Sequence, residues 1–167
     1  LRDGGIIDYR AVASCKIETL RRIFERGSAA PEGELAAFIA EGGEALQRFA
    51  LFQAISMDMV SNGMGAGWHS WPDELRDPQS AAVSRFARER RRDVEFQVWL
   101  QWAADRQLAG AARRLREAGM RIGLYLDLAV GTAPDGAATW SDRSLTLVGA
   151  EIGAPADMFN PDGQKWG

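Results

Sequence analysis

Apolar residues recur every three or four positions over most of this chain, and that rhythm breaks near residue 119. Over residues 8–26, Val12, Cys15, Ile17, Leu20, Ile23 and Phe24 fall on one side of a helix. Asp8 is placed to cap its start and Gly27 to end it. Residues 34–40 predict a short helix stopped by Gly42 and Gly43, and residues 44–59 carry Leu46, Phe49, Phe52, Ile55 and Met59 as a further helical stripe. The glycines of residues 62–72 (NGMGAGWHSWP) predict a loop holding two tryptophans. A long helical stretch follows over about 78–117, with Asp93 placed to restart it as a second helix after the charged residues 88–92. Within it, residues 94–115 hold Phe96, Trp99, Leu100, Trp102 and Leu108, and Gly119 stands where a helix terminates. Charges lie between these apolar positions, so part of the stretch should face water.

Past Gly119 the pattern changes. Residues 121–127 are short and apolar and end on a carboxylate, Asp127; this predicts a buried parallel strand. A helix followed within a few residues by a strand is an αβ unit. An acid at the C-terminal end of a strand, with a long loop behind it, is how α/β barrels build active sites. The segment behind Asp127 is rich in Gly, Pro and Asp and dotted with aromatics, too rich in turn formers to be expected as packing material.

At 167 residues the chain has the length of one domain or of a piece of one. A net charge of -3 argues against a nucleic-acid binder, which carries a basic face. The sequence holds no apolar run long enough for a membrane span and no signal-like start. Cys15 is alone and cannot form an internal disulfide, which fits a reducing compartment and hence a cytoplasmic location. His69 is the only histidine, which excludes multi-histidine zinc sites; no metal or organic cofactor is indicated. The chain begins at Leu1 rather than Met and stops at Gly167 just after a loop-like stretch, as a βα unit cut at its loop would.

Four groups could carry chemistry. Asp127 is either a loop-anchoring acid or an acid at the rim of a substrate pocket. Residues 157–167 mix aromatic rings with carboxylate and amide groups; such a mixture binds sugars, rings covering C–H faces and planar polar groups bonding hydroxyls. The alternative is an ordinary loop whose tryptophan folds back over the core. Residues 68–72 (WHSWP) are either a stacking platform or a plug between helices, the plug being the commoner use; His69 as a general base needs a nearby carboxylate or hydroxyl. The basic residues 85–92 (RFARERRR), with Glu89 and Asp93 in reach, read as a solvated helix face rather than a phosphate site.

Taken together these residues resemble the middle part of the amylomaltases, bacterial 4-alpha-glucanotransferases of the α-amylase clan. The likeness covers nearly the whole chain: IDYRAVASCKIETL (7–20), GEALQRFALFQAI (43–55), WHSWPDELRDPQS (68–80), FQVWLQWAADRQL (96–108), GLYLDLAVGTAPDGAATW (123–140) and GAPADMFNPDGQKWG (153–167). The last two segments are the specific ones. The resemblance implies an α/β fold, here a mainly helical fragment of a (β/α)8 TIM barrel with a helical insertion. Residues 1–75 would be the insertion, and residues 76–167 the long helix, a barrel strand and a substrate loop.

On the same likeness Asp127 is the acid of the clan's first active-site region, which supports the catalytic centre without covalent chemistry. Asp157, Phe159, Gln164 and Trp166 would contact the glucan from a mobile loop over the donor and acceptor sites. The implied reaction moves an α-1,4-glucan segment to another glucan's 4-hydroxyl by a retaining double displacement. Its nucleophile, acid/base and third essential acid would lie on later strands, so the 167-residue chain alone is expected to be inactive, its open half-barrel covered by a partner segment, by self-association or by rearrangement. Ala138, Leu126 and Ala156 depart from the usual family pattern, which leaves loop rigidity and acceptor preference open. Two other kinds of protein fit the same residues: a catalytically dead glucan-binding relative, and a helical interaction module with no sugar role.

Overall fold

The computed structural model describes residues 6–27, 33–127, 129–145 and 152–166. Leu1, Gly167 and residues 146–151 of the turn-rich segment therefore lie outside the described residues.

The helical rhythm is realised closely. Helix α1 spans Tyr9–Glu25, and the Asp8 carboxylate accepts from the Ala11 amide at its start. Helix α2 spans Glu34–Ser61 with a kink at Gly43, where φ is 51° and ψ is -143°. That backbone conformation is open to glycine and costly for other residues, so the short and long helices expected on either side of it meet there in one bent element. After the loop, a single turn of 3₁₀ helix covers Trp68–Ser70, and α3 (Asp73–Arg76) is one helical turn. Helix α4 is Ala81–Glu89 and α5 is Arg91–Glu117; Arg90 separates them, and Asp93 sits in the first turn of α5 as expected. The last turn of α5 ends with the Gly119 amide donating to Arg116 and the Met120 amide to Leu115, a two-bond cap that satisfies carbonyls the helix leaves open.

The bent α2 serves two cores. Its first half brings Leu35 and Phe38 against Phe96, Trp99 and Trp102 of α5, with Ile17, Leu20 and Phe24 of α1 on the same cluster. Its second half builds the other core, Phe52, Ile55 and Met59 packing with Trp71, Leu75, Val83 and Trp140. Phe24, Phe96 and Trp99 contact one another at centroid distances of 5.4–6.2 Å, in the offset geometries that aromatic quadrupoles favour.

The basic run does more than face water. Arg90 pairs with Asp58 of α2 at 2.9 Å, Arg92 lies over the Phe24 ring at 4.5 Å, and Arg91 and Arg92 both bond Glu95. Asp93 pairs with Arg21 of α1 at 2.9 Å, and Glu89 forms no ion pair among the described residues. These arginines thus tie three helices together. At Glu95, partial burial pushes the carboxyl up, but hydrogen bonds and charge from Arg91 and Arg92 outweigh it and hold the group below its ordinary value. A lowered carboxylate contributes stability that is present above the unfolded value of about 4.3 and is lost as pH falls through the folded one. The stability difference between the parent chain and Glu95→Gln, followed by urea titration, should therefore shrink as pH is lowered from 6 towards 3.

The strand expected over residues 121–127 is not formed: these residues lie in neither helix nor strand, and Ile122 and Tyr125 are 87% and 90% exposed. A buried parallel strand takes its hydrogen bonds and its burial from strands on either side. Among the described residues no strand flanks this one, so its apolar side chains have nothing to enter. The barrel architecture is correspondingly absent from the described residues, which are mainly helical. Their one sheet is a two-stranded antiparallel pair, β1 (Gly153–Ala154) with β2 (Gln164–Lys165).

Candidate functional site

The residues that the sequence singled out for sugar contact come together on this β1–β2 hairpin. Gly153 faces Lys165 and Ala154 faces Gln164, and the Trp166 amide extends the pairing by donating to the Ile152 carbonyl at 2.8 Å. The tip is shaped by Asp157. Its Oδ1 accepts from the amides of Phe159 and Asn160, both at 2.7 Å, and its own amide donates to the Asn160 carbonyl. A short acidic side chain bonding the backbone two residues on is a turn-forming device. It leaves Oδ2 open. Phe159, held by that turn, is 81% exposed, and Met158 beside it is equally bare.

At the base of the hairpin the Trp166 indole Nε1 donates to Gln164 Oε1 at 3.0 Å. The bond holds the indole edge and uses the amide oxygen, so Gln164 keeps its –NH₂ as a donor. The hairpin therefore offers a carboxylate acceptor, an amide donor and two exposed rings within one short stretch of chain. The folded-back alternative for Trp166 does not hold, since half of its surface is exposed.

Asp127 is exposed and makes no hydrogen bond or ion pair among the described residues. It does not line the groove of about 440 Å³ beside it, which runs between the later turns of α5 and residues 120–126 and is walled by Leu108, Ala112, Ile122 and Leu126. A second cleft, of about 250 Å³, lies among α1, α2 and α5. It is lined by Arg21, Asp58, Arg90 and Asp93, whose charges are matched to one another, and by Gln97, whose amide is held by the Met57 sulfur at 2.9 Å.

The tryptophans of residues 68–72 are a plug. Trp71 is 1% exposed and packs on Phe52 and Trp140. His69 meets the Trp68 ring edge-on at 4.1 Å and bonds no carboxylate or hydroxyl among the described residues, so it has no partner for general-base work. Trp71 and Trp102 bury indole N–H groups with no acceptor among the described residues.

The turn-rich segment does supply packing, against expectation. Helix α6 (Ala137–Ser141) carries Thr139 and Trp140 into the interior, with Trp140 at 0% exposure and its Nε1 donating to the Leu75 carbonyl at 3.0 Å. Arg48 reaches the Ser141 carbonyl at 2.6 Å, and Arg143 reaches the Arg76 carbonyl at 2.7 Å while covering the Trp68 ring. Sequence reasoning missed these ties. The one local signal was the Thr139-Trp140 pair after Asp135-Gly136, a turn followed by residues suited to burial.

Among the described residues no group of three or more His, Cys, Asp and Glu is arranged to hold a metal ion, and no helix is long and apolar enough to cross a membrane.

The described residues thus carry, on a mainly helical chain, an exposed hairpin that presents aromatic rings, a carboxylate and an amide. Comparison with known proteins gives the family. The glycoside hydrolase 77 model, described as 4-alpha-glucanotransferase, matches residues 2–167, and the chain belongs to that family. A 4-alpha-glucanotransferase of Mycobacterium tuberculosis is 40% identical over 139 residues, 83% of this chain and 18% of its own length. Those of Haemophilus influenzae and Thermus thermophilus are 29% and 27% identical over nearly all of this chain. The chain spans from 18% to 33% of the length of these relatives.

Proposed function

We propose that this chain is the glucan-covering part of a 4-alpha-glucanotransferase that moves α-1,4-glucan segments between maltodextrins by a retaining double displacement. The observation that carries the reading is the hairpin. Asp157, Phe159, Gln164 and Trp166 share one short element, with rings exposed and with Asp157 Oδ2 and the Gln164 –NH₂ left unbonded by the backbone. In the proposal, Phe159 and Trp166 lie against C–H faces of glucose units and the two polar groups bond hydroxyls. A loop over a covalent intermediate keeps water away and favours transfer over hydrolysis.

Asp127 is assigned a supporting role at the catalytic centre, without covalent chemistry. Residues 121–127 then act as a barrel strand once flanked by neighbours, residues 1–75 as a helical insertion, and residues 76–167 as part of the catalytic domain. The bare apolar surface of Ile122, Tyr125 and Leu126 supports self-association where such neighbours are missing. An exposed lone thiol, Cys15, fits the reducing cytoplasm.

Isothermal titration of the 167-residue chain with maltoheptaose tests this. Heat of binding is expected, and Trp166→Ala and Phe159→Ala should each weaken it by about 0.5–1.5 kcal/mol, the range of one aromatic contact. Absence of heat from the parent chain would leave a helical interaction module as the better description.

A further inference from the structure

We propose that Asp157 and Gln164 are positioning residues, each holding the aromatic residue two places after it, so that a glucan meets two preformed ring-and-polar units; this rests on the hairpin being the glucan-covering element proposed above. The two halves of the hairpin repeat one arrangement. Asp157 precedes Phe159 by two positions, and its Oδ1 accepts from the Phe159 amide at 2.7 Å. Gln164 precedes Trp166 by two positions, and its Oε1 accepts from the indole Nε1 at 3.0 Å. Both bonds lie inside the hairpin and need no other part of the molecule.

Phe159 is fixed through its backbone. The same Asp157 oxygen accepts from the Asn160 amide at 2.7 Å, and the Asn160 carbonyl accepts from the amides of Asp157 at 3.1 Å and Gly163 at 3.0 Å. A charged acceptor shared by two successive amides is a stronger tie than a neutral one. The tip also lies close on β1, since a Cβ built on Gly163 would stand 2.7 Å from the Ala154 carbonyl oxygen. Trp166 is fixed at backbone and side chain together. Its amide donates to the Ile152 carbonyl at 2.8 Å, and its indole edge to Gln164. An indole N–H only donates, so the Gln164 amide must present its oxygen to the ring, which turns the –NH₂ the other way. A ring that is already oriented loses less conformational freedom when a ligand lies against it, and the difference appears as affinity. Each polar residue therefore acts on the glucan through its ring, in addition to the atom it keeps for a hydroxyl.

Double-variant cycles in titrations of the 167-residue chain with maltoheptaose test this. Asp157→Ala is expected to weaken binding about two- to fivefold more in the parent than in Phe159→Ala, and Gln164→Ala about two- to fivefold more in the parent than in Trp166→Ala. Asp157→Asn keeps the Oδ1 acceptor, and Gln164→Glu keeps an oxygen for the indole. Phe159→Ala should therefore cost as much binding in Asp157→Asn as in the parent, and Trp166→Ala as much in Gln164→Glu. Equal costs of the polar variants with and without the ring overturn the positioning role and leave the glucan reading standing. Ring deletions that cost no more in Asp157→Asn and Gln164→Glu than in the alanine variants overturn it as well. Absence of heat from the parent chain removes the glucan reading and the positioning role together.

A second measurement needs no ligand. In hydrogen exchange followed residue by residue by NMR, Asp157→Ala should speed the Phe159 and Asn160 amides about threefold or more, and Gln164→Ala should do the same to the Trp166 indole N–H, while α5 stays as protected as in the parent. Asp157→Asn and Gln164→Glu should exchange close to the parent at these three protons. Unchanged exchange there in the alanine variants overturns the proposal.

Discussion

Trp140→Ala is expected to destabilise the chain by about 3–5 kcal/mol, the cost of emptying a large aromatic site that can collapse only in part. The side chain is fully buried and touches Phe52 and Trp71, at centroid distances of 5.7 and 6.1 Å. It joins elements far apart in sequence: α2, the Trp68–Ser70 turn, α3 and α4 all contribute to the same cluster. Its Nε1 also satisfies the Leu75 carbonyl. Trp140→Phe separates the two contributions. It keeps most of the apolar volume, drops the indole N–H, and should fall between the parent and the alanine variant, the lost bond accounting for about 1–3 kcal/mol. Urea titration followed by far-UV circular dichroism reads both. Since a domain of this size is held by only about 5–15 kcal/mol in all, the alanine variant should lose much of its cooperative transition. An alanine variant with the parent's midpoint would mean that this core does not hold the chain together.

Gly153→Ala is expected to abolish the β1–β2 hairpin. A Cβ built on Gly153 would stand 2.0 Å from the Gln164 carbonyl oxygen and 3.1 Å from its carbonyl carbon. Those are backbone atoms of the partner strand, which cannot swing aside as a side chain would. The pairing involves only Gly153 with Lys165 and Ala154 with Gln164, so there is no longer ladder to absorb the displacement. Amide exchange at Trp166, whose N–H is held by Ile152, should rise to the rate of an open chain. Maltoheptaose binding should weaken at least tenfold, roughly 1.4 kcal/mol or more, because the rings and polar groups lose their common frame. The helical body should unfold at an unchanged urea midpoint. A slowly exchanging Trp166 amide in the alanine variant would refute the close approach.

The two variants report on parts of the molecule that differ in how they could be foreseen. Helix α1 with its Asp8 cap, the break at Gly43, the restart near Asp93 and the stop at Gly119 were all legible, because each is fixed by interactions within a few residues. The grouping of Asp157, Phe159, Gln164 and Trp166 was legible as a cluster for the same reason, although their strand pairing was not. Residues 121–127 read as a strand and are not one here, because a strand's stability lies in its neighbours rather than in its own sequence. The Arg85–Arg92 stretch read as a solvated face, whereas Arg90 and Arg92 bind across to α2 and α1.

What the amino-acid order determined by itself was local: where helices begin, bend and end, and which short stretch carries rings and hydroxyl-bonding groups side by side. Tertiary structure alone decided that Trp71 and Trp140, so far apart along the chain, close one core, and that a turn-rich segment would be tied to the helices through Arg48, Trp68 and Arg143. The physical reason is the range of the forces involved. Caps and turns are satisfied by the backbone within a turn or two. Burial and long-range hydrogen bonds depend on which surfaces meet, and a periodic stripe says that a face must be covered without saying by what.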